Sequence, residues 1–142
     1  MIIKETVVKS ADNSGCVKMR CIGIEKKKKV ATIGDVITIV VTEIDKKINV
    51  EKKEPIKTGK VYKALVVRTK NYCRRASGQR VSFKENGAIL LSKTMLPMGT
   101  RFIGPFSAEL KTKNFDQRLL SLINKFVLLK CYVNYFVFFY TK

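Results

Sequence analysis

Short runs of β-branched and aliphatic residues, broken by turn residues, fill the first hundred positions of the chain. Ile2 to Lys9 reads as a strand. Ala11-Asp12-Asn13-Ser14-Gly15 reads as a turn, because Asp and Asn bond their own backbone and Gly supplies positive φ. Cys16 to Ile24 alternates, with Val17, Met19 and Cys21 expected inward and Lys18 and Arg20 outward; Ile22 and Ile24 break the pattern near its end. Lys26 to Lys29 forms a four-cation hairpin tip, and Ile33-Gly34-Asp35 a second tight turn. Val36 to Ile44 is almost entirely β-branched and predicts a buried strand. A charged connection from Asp45 to Gly59 leads to a strand over Lys60 to Thr69. Val81-Ser82-Phe83 and Ala88 to Ser92 follow, and a short strand ends at Gly104-Pro105.

The pattern changes after Pro105. Ser107 can cap a short helix over Ala108 to Lys111, and Asn114 a second over Phe115 to Ile123. Strands followed by small helices predict a mainly β fold: a small closed barrel with a helical C-terminal appendage. No internal repeat and no linker divides the chain.

Charge changes the picture. Of 142 residues, 29 are Lys or Arg and 11 are Asp or Glu, for a formal charge of +18. Cations recur from Lys4 to Lys142, so no single tail carries the excess. Self-repulsion on this scale opposes the compact state, and its natural counterweight is a polyanion, nucleic acid first and an anionic membrane surface second. At 46% hydrophobic residues the chain is a folded domain and not a disordered basic arm.

Enzyme chemistry finds little support. The chain has no His, which removes the commonest general base and metal ligand near neutral pH. Cys16, Cys21, Cys73 and Cys131 form no Cys-x-x-Cys pair, and with no secretory signal they read as reduced thiols. Asp12, Asp35 and Asp116 sit in turn or cap contexts, and Ser14 and Ser77 have no His to activate them. No catalytic residue, cofactor or metal is expected.

The most informative stretch is Arg68 to Arg80. It holds Arg68, Lys70, Arg74, Arg75 and Arg80 and no acid, between a strand and the strand-like Val81 to Phe83. Strands that fix the two ends of such a loop let it carry guanidinium groups outward to phosphates. Arg74 and Arg75 can fork onto phosphate oxygens. Tyr72 can stack on an unpaired base or pack against its own loop. Lys26, Lys27, Lys28 and Lys29 would act as point charges on RNA or form a solvated tip.

Several of these segments, taken together, resemble one family: Ala11 to Gly15; Ile33-Gly34-Asp35; Ala64-Leu65-Val66-Val67-Arg68-Thr69-Lys70; Ser77-Gly78; Phe83-Lys84-Glu85-Asn86; Ile89-Leu90; Pro97 to Pro105; and Glu109-Leu110. The chain is similar over residues 1–123 to the universal large-subunit ribosomal protein L-fourteen family in its bacterial and organellar form. It departs from that pattern in a Lys-rich Ile24 to Lys29, in a Gly-poor Asp45 to Pro55, and in a hydrophobic extension over residues 124–142.

The resemblance implies a closed five-stranded β-barrel with a protruding hairpin and two short C-terminal helices. It implies a structural role in the large ribosomal subunit, with binding to large-subunit rRNA, contact with small-subunit rRNA as an intersubunit bridge, neighbours in ribosomal proteins L-nineteen and L-three, and a face on which a ribosome-silencing factor docks. Arg101, inside the Pro97 to Pro105 stretch, joins the expected RNA-binding set. A free RNA-binding barrel outside the ribosome is the alternative, although such modules interleave aromatics on strands that here are aliphatic.

Two expectations remain. From Phe126 to Tyr140 the extension is apolar but interrupted by Lys130 and Asn134, too short and too polar to span a bilayer, which needs about 20 apolar residues. Phe136, Phe138 and Phe139 are expected to dock on a neighbouring ribosomal component; folding back onto the barrel is the competing reading. The richness in Lys, Ile, Asn, Phe and Tyr, with no transit segment at the N-terminus, points to an organelle-encoded protein of the mitochondrial ribosome, with bacterial cytoplasm or plastid as alternatives.

Overall fold

The computed structural model describes residues 1–25, 28–45, 55–75, 78–112, 121, 123 and 126–127. Five strands close into a barrel in the order β1 (Val7–Ser10), β2 (Cys16–Ile24), β3 (Val36–Ile44), β4 (Val61–Arg68) and β7 (Gly87–Leu91). The four pairs along this order are antiparallel; the closing pair, β1 with β7, is parallel through Lys9↔Gly87 and Ser10↔Ala88. Closure leaves the sheet without a free edge. Outside it lie a two-stranded ribbon, β5 (Cys73–Arg74) with β6 (Arg80–Val81), and a parallel pair, β8 (Phe106–Ser107) with β9 (Phe126–Val127).

Two apolar clusters explain the sequence pattern. The barrel interior takes Val8, Met19, Cys21, Ile37, Ile39, Val41, Ala64, Val66, Ala88 and Leu90. A second cluster covers the outside of β4 and β7: Leu65, Val67, Ile89 and Leu91 meet Phe83, Phe102, Phe106 and Leu110. These two strands are therefore buried on both faces, which is why they read as continuous apolar runs and not as alternations.

The segment that covers them is clamped by the first turn. Asp12, only 4% exposed, accepts hydrogen bonds from Ser10 Oγ at 2.6 Å, from the Ser14 N–H at 3.1 Å and from the Leu90 N–H at 3.1 Å. Asn13 Oδ1 accepts from the backbone N–H groups of Thr100 at 2.9 Å and Arg101 at 3.0 Å. A Cβ on Gly99 would lie 2.8 Å from the Asp12 Cβ, so glycine there allows the close approach. Asp35 organises the second turn, accepting from the Thr32 N–H at 2.8 Å and Thr32 Oγ1 at 2.9 Å.

Several expectations are corrected. Val17 is exposed and Cys16 points inward, because register shifts between Cys16 and Met19 reset the alternation; Ile22 is an exposed apolar residue on the outward side of β2, and a further shift lies between Cys21 and Gly23. Ile2 makes an isolated bridge to Ala31, and β1 starts only at Val7. The first small helix is 3-10, over Ala108–Thr112, and the Ser107 hydroxyl donates to the Glu109 carboxylate instead of capping with a backbone partner. The second, over Phe115 to Ile123, falls outside the described residues apart from Ser121 and Ile123, and Ile123 is buried.

Candidate nucleic-acid interface

Residues 69–75 leave the barrel at the end of β4 and, with residues 78–81, form the β5–β6 ribbon. Its base is tied down by the Phe83 N–H donating to the Thr69 carbonyl at 3.1 Å and the Lys70 N–H donating to Asn86 Oδ1 at 2.8 Å. Towards its tip the Arg75 N–H donates to the Gln79 carbonyl at 2.9 Å and the Gly78 N–H to the Arg75 carbonyl at 3.0 Å.

Strand alternation sorts the side chains of this ribbon. Successive residues point to opposite faces. Cys73 and its partner Val81 face inward and join the second apolar cluster. Arg74 and its partner Arg80 face outward, and both are exposed. Tyr72, two residues before Arg74, lies on the same outer face, and the Arg80 guanidinium carbon sits 4.9 Å from its ring centroid.

The adjacent arginines therefore part company. Arg75 turns inward to form an ion pair with Glu109 of the 3-10 helix, and its side chain is only 11% exposed. It does not share an outward fork with Arg74. Arg68 departs further from the expectation of an outward cation. It is 8% exposed, its guanidinium carbon lies 5.9 Å from the Phe106 ring centroid, and its Nε has no hydrogen-bond partner among the described residues. Burial lowers its pKa from the ordinary arginine value, partly offset by the charge of Glu85. Gly87 and Gly104 make room for it: a Cβ on either would fall within 2.6 Å of a guanidinium nitrogen.

The remaining expected contacts are dispersed. Lys70 and Arg101 are exposed. Lys28 and Lys29 lie on the connection between β2 and β3, where Lys28 Nζ donates to Asp35 Oδ1 at 3.0 Å and so buttresses a turn. Lys26 and Lys27 lie outside the described residues, as do Phe136, Phe138 and Phe139. The part of the extension that is described, Phe126–Val127, pairs with β8, and Phe126 packs on the second cluster.

Local sequence pattern gives Glu109 no functional role. One signal pointed to it: from Lys93 to Lys113 it is the sole acid. Among the described residues no group of three His, Cys, Asp or Glu side chains could hold a metal ion, and no helix is long and apolar enough to cross a membrane.

Residues 1–127 match the family model of ribosomal protein L14p/L23e. The chain belongs to this family. Among curated relatives, the large ribosomal subunit protein uL14 of Aquifex aeolicus (strain VF5) is 40% identical over 118 residues, covering 82% of this chain and 93% of the relative. The large ribosomal subunit protein uL14 of Aquifex pyrophilus is 39% identical over 118 residues, with the same coverage. The match thus takes in the barrel, the ribbon and the covering segment of an L14p/L23e protein and stops at the end of β9.

Proposed function

We propose that this protein is a structural component of the large ribosomal subunit that binds large-subunit rRNA through the outer face of the β5–β6 ribbon. The observation that carries this reading is family membership over residues 1–127, in a chain of formal charge +18 whose Lys70, Arg74 and Arg80 are exposed on one short element. A closed barrel supplies a rigid base, so the ribbon gives up little conformational freedom on meeting RNA. Arg101 and the Lys26 to Lys29 connection extend the basic surface in this reading. The same reading places the protein at the subunit interface, where small-subunit rRNA, ribosomal proteins L-nineteen and L-three and a ribosome-silencing factor are the proposed contacts. Phe136, Phe138 and Phe139 dock on a neighbouring component in this scheme. The composition rich in Lys, Ile, Asn, Phe and Tyr favours a mitochondrial ribosome.

Affinity purification of the tagged chain from its native cells, followed by sequencing of the retained RNA, tests the reading. Large-subunit rRNA is the expected product, and its sequence names the compartment. Retention of other RNA species alone would replace the ribosomal role with that of a free RNA-binding barrel.

A further inference from the structure

The outer face of the ribbon is built in an unusual way. Beside the Cys73–Val81 rung, a second rung sets Arg74 directly opposite Arg80. Side chains on such a rung start about 5 Å apart, and like charges there repel. Among the described residues neither arginine makes an ion pair with an acid, and the Glu109 carboxylate is engaged with Arg75 on the opposite side. The arrangement persists because the inner face is anchored by Val81, Cys73 and the Arg75–Glu109 pair. Two guanidinium groups held apart by a rigid backbone match the oxygens of one phosphate.

Tyr72 adds a second recognition element. It is 55% exposed although Arg80 already lies over its ring. A cation on one face of an exposed ring leaves the other face for a flat partner. An aromatic platform beside paired cations is the chemistry by which proteins hold unstacked bases. A paired helix offers phosphates but no free base face.

We propose that Tyr72, Arg74 and Arg80 form a receptor for a single unpaired nucleotide of RNA, its base stacked on Tyr72 and its phosphate held between the two arginines. This rests on the RNA-binding reading above and deepens it, by specifying a looped-out or single-stranded nucleotide instead of a duplex backbone. Arg75 and Arg68, the other arginines of the stretch, are excluded from the receptor by their inward positions.

The test is a fluorescence titration of the full chain with a short labelled oligouridylate and with a fully paired RNA duplex of equal length, across a salt series. Tyr72→Leu is expected to weaken oligouridylate binding about five-fold or more, the scale of one lost base–aromatic stack. Tyr72→Phe should stay close to wild type, and both variants should leave duplex binding unchanged. Arg74→Gln and Arg80→Gln should each reduce the salt slope on the oligouridylate by about 0.7. These side chains face outward, so circular dichroism should show the same fold in every variant.

Three results would overturn the receptor while leaving RNA binding intact: no effect of Tyr72→Leu on either RNA, an equal loss on both, or an unchanged salt slope in both arginine variants. Tyr72→Leu abolishing binding of an oligoglutamate peptide while sparing RNA would assign the face to an acidic protein. Failure of the wild type to bind either RNA would remove the RNA-binding reading itself and the receptor with it.

Discussion

Glu109 holds Arg75 across 34 residues of chain, and this pair helps fasten the ribbon to the 3-10 helix beyond it, beside the apolar contacts of Val81 and Cys73 in the cluster that holds Leu110. The pair is mostly shielded, with side-chain exposures of 11% and 24%, so water screens it weakly. The Glu109 carboxylate also accepts the Ser107 hydroxyl, which ties the start of the helix into the same knot.

Glu109→Gln should therefore lower stability by roughly 1–3 kcal/mol, the range for loss of a charge-assisted, partly buried partner. Urea unfolding measures it. Arg75→Met should have an effect of similar size, and the double variant should fall well short of the sum. Additive losses would mean that the two side chains act independently.

Asp12 offers a sharper case. Its two carboxylate oxygens face donors only: the Ser10 and Ser14 hydroxyls and the backbone N–H groups of Ser14 and Leu90. Asp12→Asn keeps the shape but turns one acceptor into a donor facing a donor. A loss of about 2–3 kcal/mol is expected, read as a lower thermal midpoint. Asn13→Ala should instead loosen residues 99–101, seen as faster amide exchange at Thr100 and Arg101, which lose their acceptor.

The barrel thiols carry a pH dependence. Burial pushes the Cys16 thiol up to about 12, with the negative charge of Asp12 adding to the shift. The folded state therefore binds this proton more tightly than the unfolded chain does. Its contribution to stability is complete below the ordinary thiol value near 9 and is lost as pH rises from there towards 12. Between pH 8 and pH 10.5 the urea midpoint of the wild type should fall further than that of Cys16→Ala. At pH 8, iodoacetamide should label the partly exposed Cys73 before the buried Cys16 and Cys21.

Arg68 and Gly104 form a coupled pair in the core of the covering segment. A Cβ at Gly104 would stand 2.5 Å from Arg68 Nη1, and the residue has φ near 89°. Gly104→Ala should thus destabilise by about 1–3 kcal/mol. Arg68→Met removes a desolvated charge whose Nε has no hydrogen-bond partner among the described residues and keeps a flexible chain against Phe106; its thermal midpoint should equal or exceed that of wild type. A fall of more than about 1 kcal/mol would show that the guanidinium gains more from its surroundings than it loses to desolvation.

Much of this architecture is legible along the chain. Met19 and Cys21 fall where alternation places them, because one side of β2 faces the barrel interior and period two records that directly; β3, expected simply as a buried strand, sends Ile37, Ile39 and Val41 inward and leaves its other face less buried. Asp12 and Gly34 mark turns through local chemistry, Asp12 accepting from Ser10 and Ser14, while the bonds of Asp12 to Leu90 and of Asn13 to Thr100 and Arg101 reach far along the chain. The net charge and the absence of His bound the function before any fold is known.

The arginines were not legible in the same way. Arg74 and Arg75 are identical neighbours in the sequence, and local propensity cannot tell them apart. What separates them is parity: pairing of Cys73 with Val81 turns Arg74 outward and Arg75 inward, and Glu109 waits on the inner side. Arg68 belongs by sequence to the basic loop, yet it is enclosed by Phe106 and by two glycines 19 and 36 residues further on, as the numbering of Gly87 and Gly104 gives. Patterning along the chain determined a mainly β domain, and composition determined that it is strongly basic. Which cations remain free to meet a polyanion was decided by strand register and by contacts between residues far apart in the chain, because direction and burial are properties of the packed sheet and not of the residues taken singly.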